Sequence, residues 1–164
     1  MRVKNIKSNG IVRKARIGDV PAIQLLINNF AQKGKMLPRP LTDIYENIRD
    51  FFVFERNRNI LGVCALSITW KDLAEIKSLA VLRKFQKKGI GSVLVKSALN
   101  EAGNMGIRRI FVLTYSPGFF RKMGFKKVKK DLLPHKIWGE CIHCFKFPNC
   151  DEEAMILDFK GKKT

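Results

Sequence analysis

Long apolar runs are missing from this sequence, although 46% of its 164 residues are hydrophobic. A membrane-spanning helix needs about 18 or more consecutive apolar residues, so no span and no membrane contact are predicted. The first ten residues, MRVKNIKSNG, also lack the apolar core of a secretory signal. We therefore expect a cytoplasmic protein, and its length favours one domain over residues 1–164.

Acidic residues are scarce, with 14 Asp and Glu against 32 Lys and Arg, and the formal net charge is +18. Such a charge attracts polyanions, including nucleic acid, phosphorylated cofactors and small carboxylates. The basic residues are spread along the chain rather than gathered in one tail. Charge steers binding without specifying it, so we expect no nucleic-acid partner and keep a nucleic-acid-binding domain as the lesser alternative.

Two common phosphate-binding patterns are absent, because no glycine loop ends in Gly-Lys-Ser/Thr and no triplet of spaced glycines follows a strand. A different glycine turn is present in VLRKFQKKGIGSVLVKSAL, where Gly89 and Gly91 follow four basic residues and precede an apolar run of helical period. A helix that starts after such a turn directs backbone N–H groups and the positive end of its dipole at one spot. The turn therefore predicts a pyrophosphate site; the alternative is an ordinary helix entry with solvated lysines.

The rest of the chain alternates between strand and helix patterns. The predicted order is strand, helix, helix, three strands, helix, strand, helix, strand, which favours a mixed α/β sheet with helices on both faces. The segments are IVRKAR, GDVPAIQLLINNFAQKG, DIYENIRDF, the hairpin FFVFERNRNILGVCALSITW, LAEIKSLAVL, a helix from Ile90 to near Gly106, RRIFVLTYS, PGFFRKMGF and EEAMILDF.

The segment QKKGIG, with Gln86, Gly89 and Gly91, resembles the acyl-CoA signature of the GNAT superfamily of N-acyltransferases. In that superfamily the signature follows a strand that binds the pantetheine arm, and SLAVL occupies this place here. The segment IFVLTYSPGFFRKMGF resembles a second family element, a strand followed by a short helix and Gly-Phe. The resemblance implies a GNAT-like, mainly antiparallel sheet and acetyl-CoA as co-substrate, with no metal needed for catalysis. It places the cofactor on Leu79, Ala80, Val81, Gln86, Lys87, Lys88, Gly89, Ile90, Gly91 and Ser92.

Acetyl transfer to an amine requires a proton acceptor and a donor for the developing oxyanion. Strand alternation in AEIKSLAV puts Glu75, Lys77 and Leu79 on one face. Several GNAT enzymes resemble this chain in having Glu at this strand position, so we predict Glu75 as the general base; the alternative is a simple ion pair with Lys77 or a nearby arginine. The resemblance also implies a bulge whose Leu79 N–H binds the oxyanion.

The proton donor for the leaving thiolate departs from the family pattern. Many GNAT enzymes carry Tyr in the helix after the fifth strand, where this chain has Phe120. Tyr115 is the alternative donor, although it can equally line a pocket, and a thiolate needs little help to leave.

The segments GKMLPRP, DFFVFER and GVCALSITWKDLAEIKSLAV resemble the acetyltransferase domain of N-acetylglutamate synthases, particularly short stand-alone bacterial forms. The resemblance implies that Arg39 holds the carboxylates of L-glutamate. The longer enzymes carry a second arginine after the fifth strand, whereas this chain has Tyr115 and Ser116; Lys77 is the predicted replacement, with a solvated lysine as the alternative. The implied reaction makes N-acetyl-L-glutamate for arginine biosynthesis.

Other acceptors remain open, namely glutamine, aspartate, or a protein N-terminus used by another type of GNAT enzyme. The oligomeric state also remains open, with a homodimer as one option. Without an amino-acid-kinase domain, we expect no arginine-inhibition site of the kind located there.

Four cysteines, Cys64, Cys141, Cys144 and Cys150, would suit disulfides in a secreted protein, but a reducing compartment disfavours them. The last three lie in a Cys-rich loop at about residues 131–150. With His143, and with His135 nearby, they form a possible structural zinc site. We favour instead reduced cysteines that pack this loop over the substrate pocket.

Overall fold

The strands and helices largely follow the predicted order. The computed structural model describes residues 3–5, 9–133, 141 and 143–159. The strands are β1 (Val3–Asn5), β2 (Gly10–Lys14), β3 (Phe51–Arg56), β4 (Asn59–Trp70), β5 (Leu73–Val81), β6 (Arg109–Thr114), β7 (Lys126–Val128) and β8 (Glu153–Asp158). The helices are α1 (Val20–Ala31), α2 (Leu41–Glu46), α3 (Ile90–Asn104) and α4 (Pro117–Lys122).

One sheet contains these strands in the order β1-β2-β3-β4-β5-β6-β8-β7. Neighbouring strands run antiparallel except β5 and β6, which are parallel. This confirms the predicted mixed, mainly antiparallel sheet. Strands β1 and β7 were not predicted, because three residues are too few to show an alternating pattern.

The β3–β4 hairpin turns at Asn57 and Arg58, whose φ angles are +50° and +62°. Two left-handed residues in a row suit the right-handed twist of the flanking strands. The predicted hairpin around ERNRN is therefore confirmed.

Helices cover both faces of the sheet, as predicted. Helix α3 buries Ile90, Leu94, Val95, Ala98 and Ala102 against one face. Helix α1 buries Val20, Ile23, Leu26 and Ile27 against the other, where α2 adds Ile44. Burial of each large aliphatic side chain stabilises the fold by roughly 1.5–3 kcal/mol. At Gly62 of β4, a Cβ atom would lie 3.0 Å from atoms of Ile90 and Leu94, so glycine allows α3 to approach the strand closely.

Strands β5 and β6 separate halfway along their length. Their pairing covers Leu73 to Glu75 of β5 and Arg109 to Phe111 of β6. Strand β5 continues to Val81, whereas β6 pairs with β8 as far as Thr114. The separation opens the sheet between the two strands, at the carboxyl ends of both. No helix in the described residues has the length and apolarity to cross a bilayer.

Candidate active site

The glycine turn enters α3 through a left-handed residue. Gly89 has φ +86° and immediately precedes α3, a conformation that is strained for residues with a Cβ atom. The N–H of Val93 donates to the Gly89 carbonyl at 3.1 Å, which closes the first helical turn. The amides of residues 90–92 therefore lie at the positive end of the 15-residue helix.

The residues around this turn have different roles in the structure. Gln86 donates from Nε2 to the Val81 carbonyl at 3.0 Å, which ties the turn to the end of β5. Lys87 and Lys88 are exposed, and Ser92 is half-buried. The Ile90 side chain belongs to the core, so only its backbone faces the turn.

Strand β5 contains the bulge that the family resemblance implied. Ala65 of β4 pairs with Lys77, whereas Val63 pairs with Ala80, so Ser78 and Leu79 lie opposite a single β4 residue. Ser78 has φ +52°, in the left-handed region. An extra residue of this kind lacks a regular ladder position.

The bulge reverses the side-chain alternation of β5. Leu79 packs in the core beneath α3, whereas Lys77 faces a cleft on the side of α1 and α2. Glu75 lies beside Lys77 on that same side. The prediction that Leu79 shares a face with Glu75 and Lys77 was therefore wrong, because strict alternation fails where two residues oppose one.

A cleft with about 390 Å³ of space, open solvent at its mouth included, lies on the α1–α2 side of the sheet. It contains both predicted substrate-binding residues, although they are 38 positions apart in the sequence. Its lining consists of Arg39, Asp43, Asn47, Asp50, Phe51, Ala65, Ser67 and Lys77.

Arg39 is held at the cleft by contacts at its backbone and side chain. Its N–H donates to Asn28 Oδ1 at 3.2 Å, and its carbonyl accepts from Gln24 Nε2 at 3.3 Å, so the loop is tied to α1. Its Nη1 donates to Asp43 Oδ2 at 2.8 Å. These contacts restrict the orientation of the guanidinium group before any substrate arrives.

Glu75 and Lys77 lie together on β5, with 3.6 Å between Glu75 Oε2 and Lys77 Nζ. Their side chains are 14% and 15% exposed. Glu75 pairs across the ladder with Ser67, a residue of the cleft lining. The ion pair considered as the alternative to a general base is thus present, and this geometry is compatible with either role.

Asp50 is a cleft residue that no sequence pattern predicts. It accepts a hydrogen bond from the Ser67 hydroxyl, and burial raises the pKa of its carboxyl group. The only sequence signal was a single acidic residue directly before the apolar run FFVF. Asp43 lies in α2, which is only six residues long, and Asn47 follows the end of that helix, so neither shows a pattern that marks it as a cleft residue.

Tyr115 follows β6, where its hydroxyl donates to Asp151 Oδ1 at 2.7 Å and contacts the Lys146 ammonium group. Burial is the largest influence on this phenol and raises its pKa, so it stays protonated at neutral pH. Phe120 occupies the position where many GNAT enzymes carry Tyr. It is a core residue that forms an edge-to-face pair with Phe125, with 5.3 Å between the ring centroids.

The Cys-rich loop is described only in part, and His135 lies outside the described residues. Cys141 packs against the cluster that contains Leu73 and Phe111. Burial raises the pKa of its thiol, and the nearby Glu75 carboxylate acts in the same direction. In the part of the loop that the structure describes, Cys141, Cys144, Cys150 and His143 form no group arranged to hold a metal. Cys64 lies in the core, where burial raises its pKa to about 12.

Comparison with known proteins agrees with this geometry. The pattern of the acetyltransferase (GNAT) family matches residues 24–125. The chain is 44% identical to an uncharacterised N-acetyltransferase of Chlorobaculum tepidum over 145 residues, which are 88% of this chain and 94% of that protein. It is 34% identical to an amino-acid acetyltransferase of Mycobacterium tuberculosis over 133 residues, 79% of this chain and 76% of the relative.

A solved structure extends this similarity to the fold. N-acetylglutamate synthase from Neisseria gonorrhoeae, crystallised with coenzyme A and N-acetyl-glutamate, superimposes with a TM-score of 0.81 at 27% identity. The match covers 90% of this chain but 34% of the synthase, so the chain spans about a third of that protein's length. The chain thus belongs to the acetyltransferase (GNAT) family, whose enzymes use acetyl-CoA as the acyl donor.

Proposed function

We propose that this protein transfers the acetyl group of acetyl-CoA to the α-amine of L-glutamate, the opening reaction of arginine biosynthesis, in the cytoplasm. The observation that supports this most is the cleft that unites Arg39 and Lys77 beside Glu75. The similarity to an amino-acid acetyltransferase and to an N-acetylglutamate synthase agrees with it.

The glycine turn fits the diphosphate of acetyl-CoA, because Gly89 adds no side chain beside the first amides of α3 and two exposed lysines precede it. In this proposal the backbone of Leu79, Ala80 and Val81 contacts the pantetheine arm where β5 separates from β6. Gln86 acts by fixing the turn to Val81. When bound, acetyl-CoA supplies the thioester carbonyl and the thiolate leaving group.

Three groups of the chain would act on the reacting atoms. Glu75 accepts a proton from the substrate ammonium group, directly or through a water molecule. The N–H of Leu79 at the bulge donates to the oxyanion. Tyr115 is the proposed proton donor to the thiolate, a role that its raised pKa permits but that requires release from Asp151.

Arg39 and Lys77 would bind the two carboxylates of glutamate. Arg39 offers a planar fork that suits a carboxylate, and Asp43 fixes one of its nitrogens. Lys77 reaches the cleft from β5 as a point charge. The net charge of +18 also favours an acidic acceptor over a cationic one.

A thiol-release assay with acetyl-CoA tests the proposed function directly. Acceptors are glutamate, glutamine, aspartate and a short peptide with a free N-terminus, and N-acetyl-glutamate serves as the matched control because it has no free amine. We expect CoA release that depends on glutamate. Release with the peptide alone would indicate another GNAT activity. No release, together with salt-dependent DNA retention, would favour a nucleic-acid-binding domain.

A further inference from the structure

The cleft contains two carboxylates with different surroundings. Asp43 uses Oδ2 to accept from Arg39 at 2.8 Å and Oδ1 to accept from Asn47 Nδ2 at 3.2 Å. Asp50 accepts from the Ser67 hydroxyl and is half-buried. Asp43 is therefore occupied with holding Arg39, whereas Asp50 has acceptor capacity to spare.

The charged groups that face Asp50 come from three further elements: Lys14 of β2, Lys77 of β5 and Glu101 of α3. Lys14 Nζ lies 3.2 Å from Glu101 Oε1. Lys77 Nζ lies 3.6 Å from Glu75 Oε2. Each neighbouring cation is thus engaged with another carboxylate, and within the described residues Asp50 itself forms no ion pair.

Lys14 and Lys77 stabilise the Asp50 charge from a distance, but burial outweighs them and the pKa of Asp50 is still raised, so a further cation at this carboxylate would be favourable. An amino acid enters the cleft as a zwitterion, and its ammonium group offers three N–H donors. Burying that ammonium beside Arg39 and Lys77 would also be costly without a negative partner. Asp50 and the substrate ammonium therefore satisfy each other.

We propose that Asp50 binds the α-ammonium group of the amino-acid acceptor, with Ser67 orienting its carboxylate, so that the cleft recognises a zwitterion. Arg39 takes a carboxylate and Asp50 takes the ammonium group. This inference rests on the proposed function and deepens it by naming the residue that recognises the amine of the amino-acid acceptor. Glu75 keeps its separate role as the proton acceptor.

The test compares an acceptor with its analogue that lacks the amine. Glutarate has both carboxylates of glutamate but no ammonium group, so it serves as a competitive inhibitor. In Asp50→Asn we expect the KM for glutamate to rise about tenfold or more, because a charge-assisted hydrogen bond is lost. The inhibition constant of glutarate should change by less than about threefold.

Asp43→Asn is the matched control. It removes one cleft carboxylate of the same kind, but it acts through Arg39, so binding of glutamate and of glutarate should weaken together. Ser67→Ala provides a second test should Asp50→Asn fail to fold. Its expected effect is a rise of about threefold in the KM for glutamate with unchanged glutarate inhibition.

The outcomes separate this proposal from the proposed function. Parallel loss of glutamate and glutarate binding in Asp50→Asn, or no change in either, overturns the role of Asp50 while leaving the acetyltransferase assignment intact. If the wild-type enzyme prefers another amino acid, that acceptor and its deaminated analogue replace glutamate and glutarate. A wild-type enzyme that acetylates no amino acid overturns both proposals at once.

Discussion

The two halves of the site are built in different ways. The proposed cofactor half is a continuous segment, residues 79–92, in which backbone amides, a bulge and a left-handed glycine provide the geometry. The acceptor half is a cleft lined by side chains from the loop before α2 and from α2, β3, β4 and β5, together with Asp50 just before β3. A continuous backbone site produces a local sequence motif, whereas a cleft assembled from distant side chains produces none.

This difference determines how each half responds to substitution. The geometry of the cofactor half depends on backbone φ angles, so this half should tolerate most side-chain changes that preserve those angles. Binding in the acceptor half depends on single charged side chains, such as Arg39 and Lys77. Single charge changes should therefore impair the acceptor half more than single side-chain additions impair the cofactor half.

The largest effect is expected for Glu75→Gln, at the junction of the two halves. Loss of a general base lowers kcat by about a hundredfold or more, and activity should then rise with pH because the free amine must lose its proton in solution. The KM for acetyl-CoA should stay nearly constant. Steady-state rates across a pH series measure both effects.

Lys77→Met is the matched control, because it breaks the same ion pair and keeps the carboxylate. We expect it to raise mainly the KM for glutamate. Equal losses of kcat in the two variants would mean that the ion pair, rather than proton transfer, is what Glu75 contributes. Unchanged turnover in Glu75→Gln would remove it from the mechanism.

A smaller effect is expected for Arg39→Met in the acceptor half. The KM for glutamate should rise on the order of tenfold to a hundredfold with little change in kcat, because a charged hydrogen-bonding fork is removed. Arg49→Met is the control: Arg49 is exposed, lies outside the cleft lining, and changes the net charge equally. Similar KM values for both variants would show that the overall positive charge of the protein, rather than the position of Arg39, determines glutamate binding.

The smallest effect is expected in the cofactor half. Gly89→Ala places a Cβ atom at φ +86°, a strain of about 1–2 kcal/mol, so CoA affinity should fall roughly fivefold to thirtyfold in a calorimetric titration. In Gly91→Ala the new Cβ atom would lie 3.4 Å from Phe119 Cζ, an ordinary contact, and affinity should stay within about threefold. Equal losses at both glycines would contradict a site that depends on backbone conformation.

The backbone framework of the proposed cofactor half was predictable from the sequence. The spacing of Gly89 and Gly91 before an amphipathic run indicated the helix entry, and the structure has the helix at Ile90–Asn104. The bulge on β5 was expected only through the family resemblance. Its effect on side-chain direction was missed, because alternation was assumed to run unbroken from Glu75 to Leu79.

The acceptor half was predictable only in fragments. Arg39 and Lys77 were named separately, and the structure brings them to one cleft. Asp43, Asn47 and Asp50 showed no recognisable pattern. Asp43 and Asn47 contact residues only four positions away, whereas Asp50 gains its hydrogen bond from Ser67 on β4. The final strand was predicted, but its insertion between β6 and β7 was not, because pairing depends on which sheet edge is available.

The sequence by itself determined the local events: where helices start, where the hairpin turns, and which glycine turn precedes α3. These follow from interactions among residues within a few positions of one another. The tertiary structure alone decided which charges meet in the cleft, where β5 separates from β6, and which face Leu79 occupies after the bulge. Those outcomes depend on strand register and helix packing, which bring distant residues within a few ångströms.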